Sequence, residues 1–249
     1  MTFALIMGYV VYFAYDGPRY HGWQLQPDAH SVQAELQQAL STLLRGDVEV
    51  VGAGRTDAGV HARMMVAHFD WNDAIDCKQM AYRLNKLLPR DIAVHRMECV
   101  DDELHARFSA TSRTYHYYLH TVKDPFARAY SLELHYNLDF EAMNRAAGLL
   151  LKYDDFGAFC KSHTDVKTTI CHLTEARWIA IDDSHWYFRI TANRFLRNMV
   201  RAVVGTLIEV GRGRISEEDF IRIVEGRKRT AAGESVPANA LFLEEVKYE

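Results

Sequence analysis

The sequence predicts an α+β protein with antiparallel strands, and three observations carry that reading. Strand-like and helix-like patterning alternate along the chain with no repeat of solenoid period. The strand-like segments outnumber what a helix bundle admits, and their connections suit antiparallel pairing. The 249 residues are 49% hydrophobic and 25% charged, enough for a large core, and this excludes disordered, collagenous and low-complexity classes. Five prolines and fourteen glycines are too few for long flexible linkers.

Each element has its own signature. Residues 1–15 are almost wholly apolar, with no basic stretch before them, and Asp16 ends the run short of the roughly 20 residues a membrane span needs. The alternation Tyr9, Val11, Phe13, Tyr15 predicts a buried strand over 7–15, with Met7 a candidate start. Ser31 caps a helix whose Val32, Leu36, Ala39, Leu40 and Leu43 share one face. A short strand over 48–52 precedes a glycine-rich turn, and 64–69 is again strand. Residues 77–88 form a helix stopped by Pro89, and 92–100 return as strand. The acidic Asp101-Asp102-Glu103 turn leads to a Tyr- and Thr-rich strand over 113–121. In the second half, 140–151 is helical, and 169–181 with 186–191 form a strand pair through Asp182-Asp183. Leu196, Met199, Val200, Val203, Val204, Leu207 and Ile208 make one apolar helical stripe. Ser216 caps a helix over 217–225, and 241–248 is a closing strand. A cut near 101–107 divides the chain into an N-terminal α+β domain, 1–104, and a C-terminal one, 105–249.

Four cysteines (Cys77, Cys99, Cys160, Cys171) do not make a disulfide scaffold and suit a reducing compartment, so the reading is cytoplasmic. Net charge is −4, yet residues 189–229 hold ten Lys/Arg against five Asp/Glu, leaving 19 against 28 elsewhere. That local excess fits a polyanion-binding region and equally a solvated helical face.

The most informative stretch is Gly52-Ala53-Gly54-Arg55-Thr56-Asp57-Ala58-Gly59-Val60-His61-Ala62. A dinucleotide-binding loop is excluded, because a strand and not a helix follows, and Asp57 puts an anion where a phosphate would sit. Asp57 has two open readings: a turn residue bonding its own backbone, or a carboxylate displayed with Arg55 on a constrained loop. Cys160, His163, Cys171 and His172 are the one cluster of N/S donors, and they lack the paired Cys-x-x-Cys spacing of a zinc site. No metal is expected.

Several segments then fall in a recognisable order. They are Tyr15-Asp16-Gly17; Gly22-Trp23-Gln24-Leu25-Gln26; Ser31-Val32-Gln33; the Gly54–Ala62 loop; Asp91-Ile92-Ala93-Val94; His105-Ala106-Arg107-Phe108-Ser109-Ala110; Phe195-Leu196; Met199-Val200-Arg201; Val204-Gly205; and Pro237-Ala238 with Leu241. The series covers nearly the whole chain and resembles the tRNA pseudouridine(38–40) synthase family, which acts on the anticodon stem-loop. The resemblance implies two related halves, each an antiparallel sheet with helices on one face, forming a larger sheet with a central basic cleft. It also implies a homodimer that binds tRNA, with no cofactor, because the reaction exchanges an N-glycosidic for a C-glycosidic bond without redox change, hydrolysis or a group donor.

By the same resemblance Asp57 is the nucleophile, Arg201 the cation that keeps it ionised against desolvation, and Tyr115 the active-site tyrosine. Arg55 fills the space left by a flipped uridine. Arg194, Arg197 and Arg201, spaced by three and four on one side of their helix, are expected to supply RNA contacts, with Arg212, Arg214 and Arg227-Lys228-Arg229 extending the basic supply. Arg201 sits at the rim of the apolar stripe beside Ile208, a place that equally suits a snorkelling side chain. Tyr115 has cross-strand packing as its ordinary alternative, and Trp23 has the core. Three positions depart from the family pattern: Pro18 after Tyr-Asp-Gly, Cys171 where arginine is expected, and Ala240 where glycine is usual. A catalytically silent RNA-binding module is the rival reading.

Overall fold

The structure is a computed structural model that describes residues 6–100, 104–161 and 167–248. The Asp101-Asp102-Glu103 turn and His163 lie outside the described residues. The chain forms two compact units, one of Met1–Thr111 with Leu243–Glu249 and one of Ser112–Phe242.

In the first unit β1 (Met7–Tyr15) pairs antiparallel with β3 (His61–Trp71) on one side and β4 (Ile92–Val100) on the other. Val10 is buried along with Tyr9, Val11 and Phe13, so both faces of the strand meet protein. Helix α1 (Val32–Leu44) begins where the Ser31 hydroxyl accepts the Ala34 amide, and α2 (Cys77–Leu87) where the Asp76 carboxylate accepts that of Gln79. Leu88, forced extended by Pro89, ends α2.

The strand expected over 48–52 shrinks to β2 (Val51–Gly52). The reason lies in α1: its Ser41 hydroxyl and Gln37 carbonyl take the amides of Val48 and Val50, each at 3.1 Å, in place of a neighbouring strand. Conversely β3 starts three residues earlier than its apolar run, because Ala62 still pairs with Tyr15.

In the second unit β5 (Ser112–His120), β8 (His185–Ala192) and β7 (Leu173–Ala180) pair antiparallel in that order. A two-residue β6 (Leu132–Glu133) adds to β5 in parallel, an exception to the all-antiparallel expectation that is too short to read from periodicity. The β7–β8 turn is fixed by Asp182, whose carboxylate accepts the Ser184 and His185 amides at 2.8 Å each. The β7 strand begins at Leu173 and not at Thr169, since the Thr169 hydroxyl and Cys171 amide bond to Asp155 and Asp154. Helices α3 (Phe140–Leu149), α4 (Met199–Gly211) and α5 (Glu217–Gly226) follow the sequence pattern, the last with a reciprocal Ser216–Asp219 capping box. The closing strand β9 (Leu241–Lys247) lies beyond β3, and its Leu243–Lys247 portion belongs to the first unit.

Helix α4 corrects two expectations. It starts at Met199, after Asn198 turns the chain through the left-handed region (φ 65°), so Arg194 and Arg197 precede it and share no helical face with Arg201. It also has no broad polar side: eleven of its thirteen residues are buried, and Arg201 and Glu209 alone interrupt that surface.

Candidate active site

The Asp57 loop is assembled by close backbone approach. Gly22 (φ 87°) presses so near that a Cβ there would lie 2.2 Å from the Thr56 carbonyl oxygen, and one on Gly17 would lie 2.2 Å from that of Val60. Glycine is required at both positions, since any side chain would push the loop away. Thr56 is bound from two sides: its hydroxyl accepts the Trp23 amide at 3.1 Å and lies 2.8 Å from the Tyr15 hydroxyl. Asp57 itself closes a turn through its carbonyl, which accepts the Val60 amide at 3.2 Å, while Gly59 (φ 79°) donates to Tyr20. The buried Nδ1 of His61 lies 3.1 Å from the Gly17 amide and 2.7 Å from an Asp16 carboxylate oxygen, joining the end of β1 to the start of β3.

Both readings of Asp57 therefore have a footing: its backbone makes the turn, and its side chain is half-buried on a loop held from several directions. Arg55, two residues earlier, is exposed. Trp23 is core, only 3% exposed, against Phe13 and the bare face of Gly52. Its part in the motif is to place Gly52 and Thr56.

In the second unit Tyr115 lies on β5 opposite Ile190, 9% exposed, with the Phe195 ring edge-on at 5.1 Å. Tyr117, two residues along, is fully buried and donates to the Pro237 carbonyl at 3.0 Å. Burial drives its phenol far above the ordinary tyrosine range, against the opposing field of Arg201, so it stays protonated. The Arg201 guanidinium donates from Nε to the Val236 carbonyl at 2.7 Å, and the Val236 amide donates back to the Arg201 carbonyl. The 229–237 segment is strapped to α4 at Gly205, where a Cβ would lie 1.8 Å from the Glu234 oxygen. Thr206 accepts the Gly233 amide, and Arg229 holds the Gly233 carbonyl and Ser235 hydroxyl. The strap thus orients Arg201, a device with no local sequence signature.

The basic region is largely committed. Arg189 pairs with Glu175, Arg212 and Arg214 with Glu209, Arg222 with Asp219, and Arg227 with Asp155. The exposed pairs among them contribute little to stability. Arg194 is half-buried near the Cys171 thiol, which burial pushes up to about 11 against the pull of that arginine. Arg197 is exposed, and its carbonyl accepts the Lys161 amide. Among the described residues no helix is long and apolar enough to cross a membrane.

A well-held loop presenting a carboxylate and a guanidinium, in a chain whose second unit is rich in arginine, is the equipment of an enzyme that acts on a nucleic acid. Comparison with known proteins sharpens this. The sequence model of the tRNA pseudouridine synthase family matches residues 11–109 and 146–249. The chain is 56% identical over 242 residues to tRNA pseudouridine synthase A of Bacteroides thetaiotaomicron, covering 96% of this chain and 90% of that protein. It is 55% identical over 243 residues to the protein of that name from Porphyromonas gingivalis, and 40% identical over 240 residues to that of Bacillus subtilis. The coverage is 96% of both chains for the former, and 95% of this chain and 97% of the relative for the latter. This chain belongs to the tRNA pseudouridine synthase family, and it is an isomerase that acts on tRNA. Asp57, Arg55, Arg194, Arg197 and Arg201 all fall within the matched stretches, whereas Tyr115 lies between them.

Proposed function

We propose that the protein converts uridine to pseudouridine in the anticodon stem-loop of tRNA, at the three positions for which the resembled family is named, as a cytoplasmic homodimer without a cofactor. Asp57 is the nucleophile, and the observation that carries the assignment is its loop, pinned by Gly17, Gly22, Tyr15 and Trp23 so that the carboxylate is presented preorganised. A carboxylate shielded from water under a base tends toward protonation, and Arg201 is the cation that opposes this. Tyr115 packs against the target base, Arg55 occupies the gap left in the stack, and Arg194 and Arg197 engage phosphates.

The reaction breaks the bond from ribose C1′ to N1 of uracil and forms one to C5, with the C5 proton passing to solvent and N1 taking up a proton in return. Purified protein should therefore release tritium from tRNA labelled at uridine C5 within the anticodon stem-loop, with no added metal or cofactor. Retained label on a tRNA that binds tightly would instead establish a silent RNA-binding module.

A further inference from the structure

Outside the Asp57 loop, the first unit displays one large aromatic side chain in an unusual setting. Phe108 is 76% exposed, yet the turn that carries it is among the most tightly bonded in the unit. His105 Nδ1 accepts the amides of both Arg107 and Phe108, at 3.1 and 3.2 Å, and its carbonyl accepts that of Ser109. The Ser109 hydroxyl accepts the His105 amide, and His68 of β3 accepts that of Ala106 at 3.1 Å. Tyr248 donates to the Ala106 carbonyl at 2.8 Å.

The rings form a ladder. Half-buried His68 meets His105 at 4.6 Å between centroids, and His105 meets Phe108 at 4.4 Å. Both imidazoles accept through Nδ1, and burial holds His68 below its ordinary range. Most of the Phe108 ring faces solvent, and the Arg107 guanidinium lies over it, 5.5 Å from the centroid. Water gains nothing from a phenyl ring held rigidly in this way. A planar, negatively flanked partner does, because a base stacks on the ring while a guanidinium beside it faces the phosphate.

We propose that Phe108 is a stacking platform for an unpaired base of the tRNA substrate, set by the His68–His105 ladder and flanked by Arg107. This rests on the protein being a tRNA-modifying enzyme and names a contact outside the reacting centre. Phe108→Ala should weaken binding of an unmodified tRNA transcript roughly 5- to 100-fold. Phe108→Leu, which keeps the apolar bulk and loses the π-face, should fall with it. Phe108→Trp should restore affinity, and its added indole emission should be quenched as tRNA saturates the protein. Single-turnover tritium release at saturating tRNA should be the same in all three as in the unaltered protein, which separates this contact from the isomerase reading itself. The proposal is overturned if Phe108→Ala binds tRNA like the unaltered protein while the transcript is still isomerised. It is also overturned if the substitution changes the mass of the assembly in solution and not its affinity for tRNA, because the ring would then dock a second copy of the chain.

Discussion

The Asp57 loop and the Arg201 strap solve the same problem, that of holding a charged side chain in place, by opposite means. The loop is held by segments 33 to 44 positions away that carry their own marks, Tyr15, Gly17, Gly22 and Trp23, and glycines make room for direct backbone contact. Arg201 is instead a break in a buried helix, oriented by a carbonyl 35 positions away on a segment that Gly205 allows to lie against α4. A charged residue held through glycines and aromatic side chains announces itself in a motif, whereas one held by a backbone carbonyl of an unmarked segment does not.

The largest expected effects test whether the two regions contribute chemistry of different kinds. Asp57→Asn is isosteric and removes the proposed nucleophile, so tritium release should fall by roughly four orders of magnitude or more while tRNA affinity changes little. Arg201→Ala leaves Asp57 in place and removes the proposed supporting cation, for which a loss of about 100- to 1000-fold is expected. Equal losses from the two substitutions would erase the distinction between nucleophile and supporting cation.

Gly22→Ala tests the loop's construction. Its Cβ would meet the Thr56 carbonyl, so the Asp57 turn must shift, and kcat should drop about 10- to 100-fold with folding largely intact. Gly205→Ala makes the matching intrusion at the strap, where the nearest neighbour is the Glu234 backbone. Because α4 is buried nearly all round, the cost there should appear first in stability, about 1–3 kcal/mol in a denaturant titration. A Gly22→Ala protein that is fully active but unstable would show that the loop is ordinary core and not a preorganised site.

The contrast also explains what was legible in the sequence. Helices α1, α2 and α5 could be placed because their signals are local: the Ser31 and Ser216 caps and the Pro89 stop. The start of α4 could not, because the apolar stripe runs on through Leu196 and Phe195 while the chain breaks at Asn198, a left-handed residue without a side-chain cap bond. The short β2 was overestimated for a similar reason: apolar alternation at Val48 and Val50 satisfies burial, but α1 side chains took their amides. At the site, the Arg55–Asp57 loop was visible as a glycine pattern. The strap was not, since Val236 and Gly233 carry no signal beyond composition. Trp23, by contrast, was visible but ambiguous, and burial alone assigns it to the core.

The smallest expected effect concerns acid. Five carboxylates held below their ordinary range, Asp124, Asp155, Asp182, Glu218 and Asp219, all lie in the second unit. Backbone amides do this at Asp124, Asp182 and Glu218, and at Asp219 the Ser216 amide acts with Arg222. At Asp155 partial burial pulls the other way and is outweighed by the Thr169 hydroxyl, the Gly157 amide and Arg227. A carboxyl whose folded value is depressed binds fewer protons in the native state than in the unfolded chain. Its stabilisation is thus complete above the unfolded value near 4 and is lost as pH falls through the folded one. Most of these groups are exposed, and solvent screening keeps each contribution small. As pH is lowered from about 5 toward 2.5, amides of β5 and β8 should lose hydrogen-exchange protection before those of β1 and β3, by a factor of roughly a few once intrinsic rates are divided out. If β1 and β3 open first, the turn and cap carboxylates of the second unit do not set its acid limit.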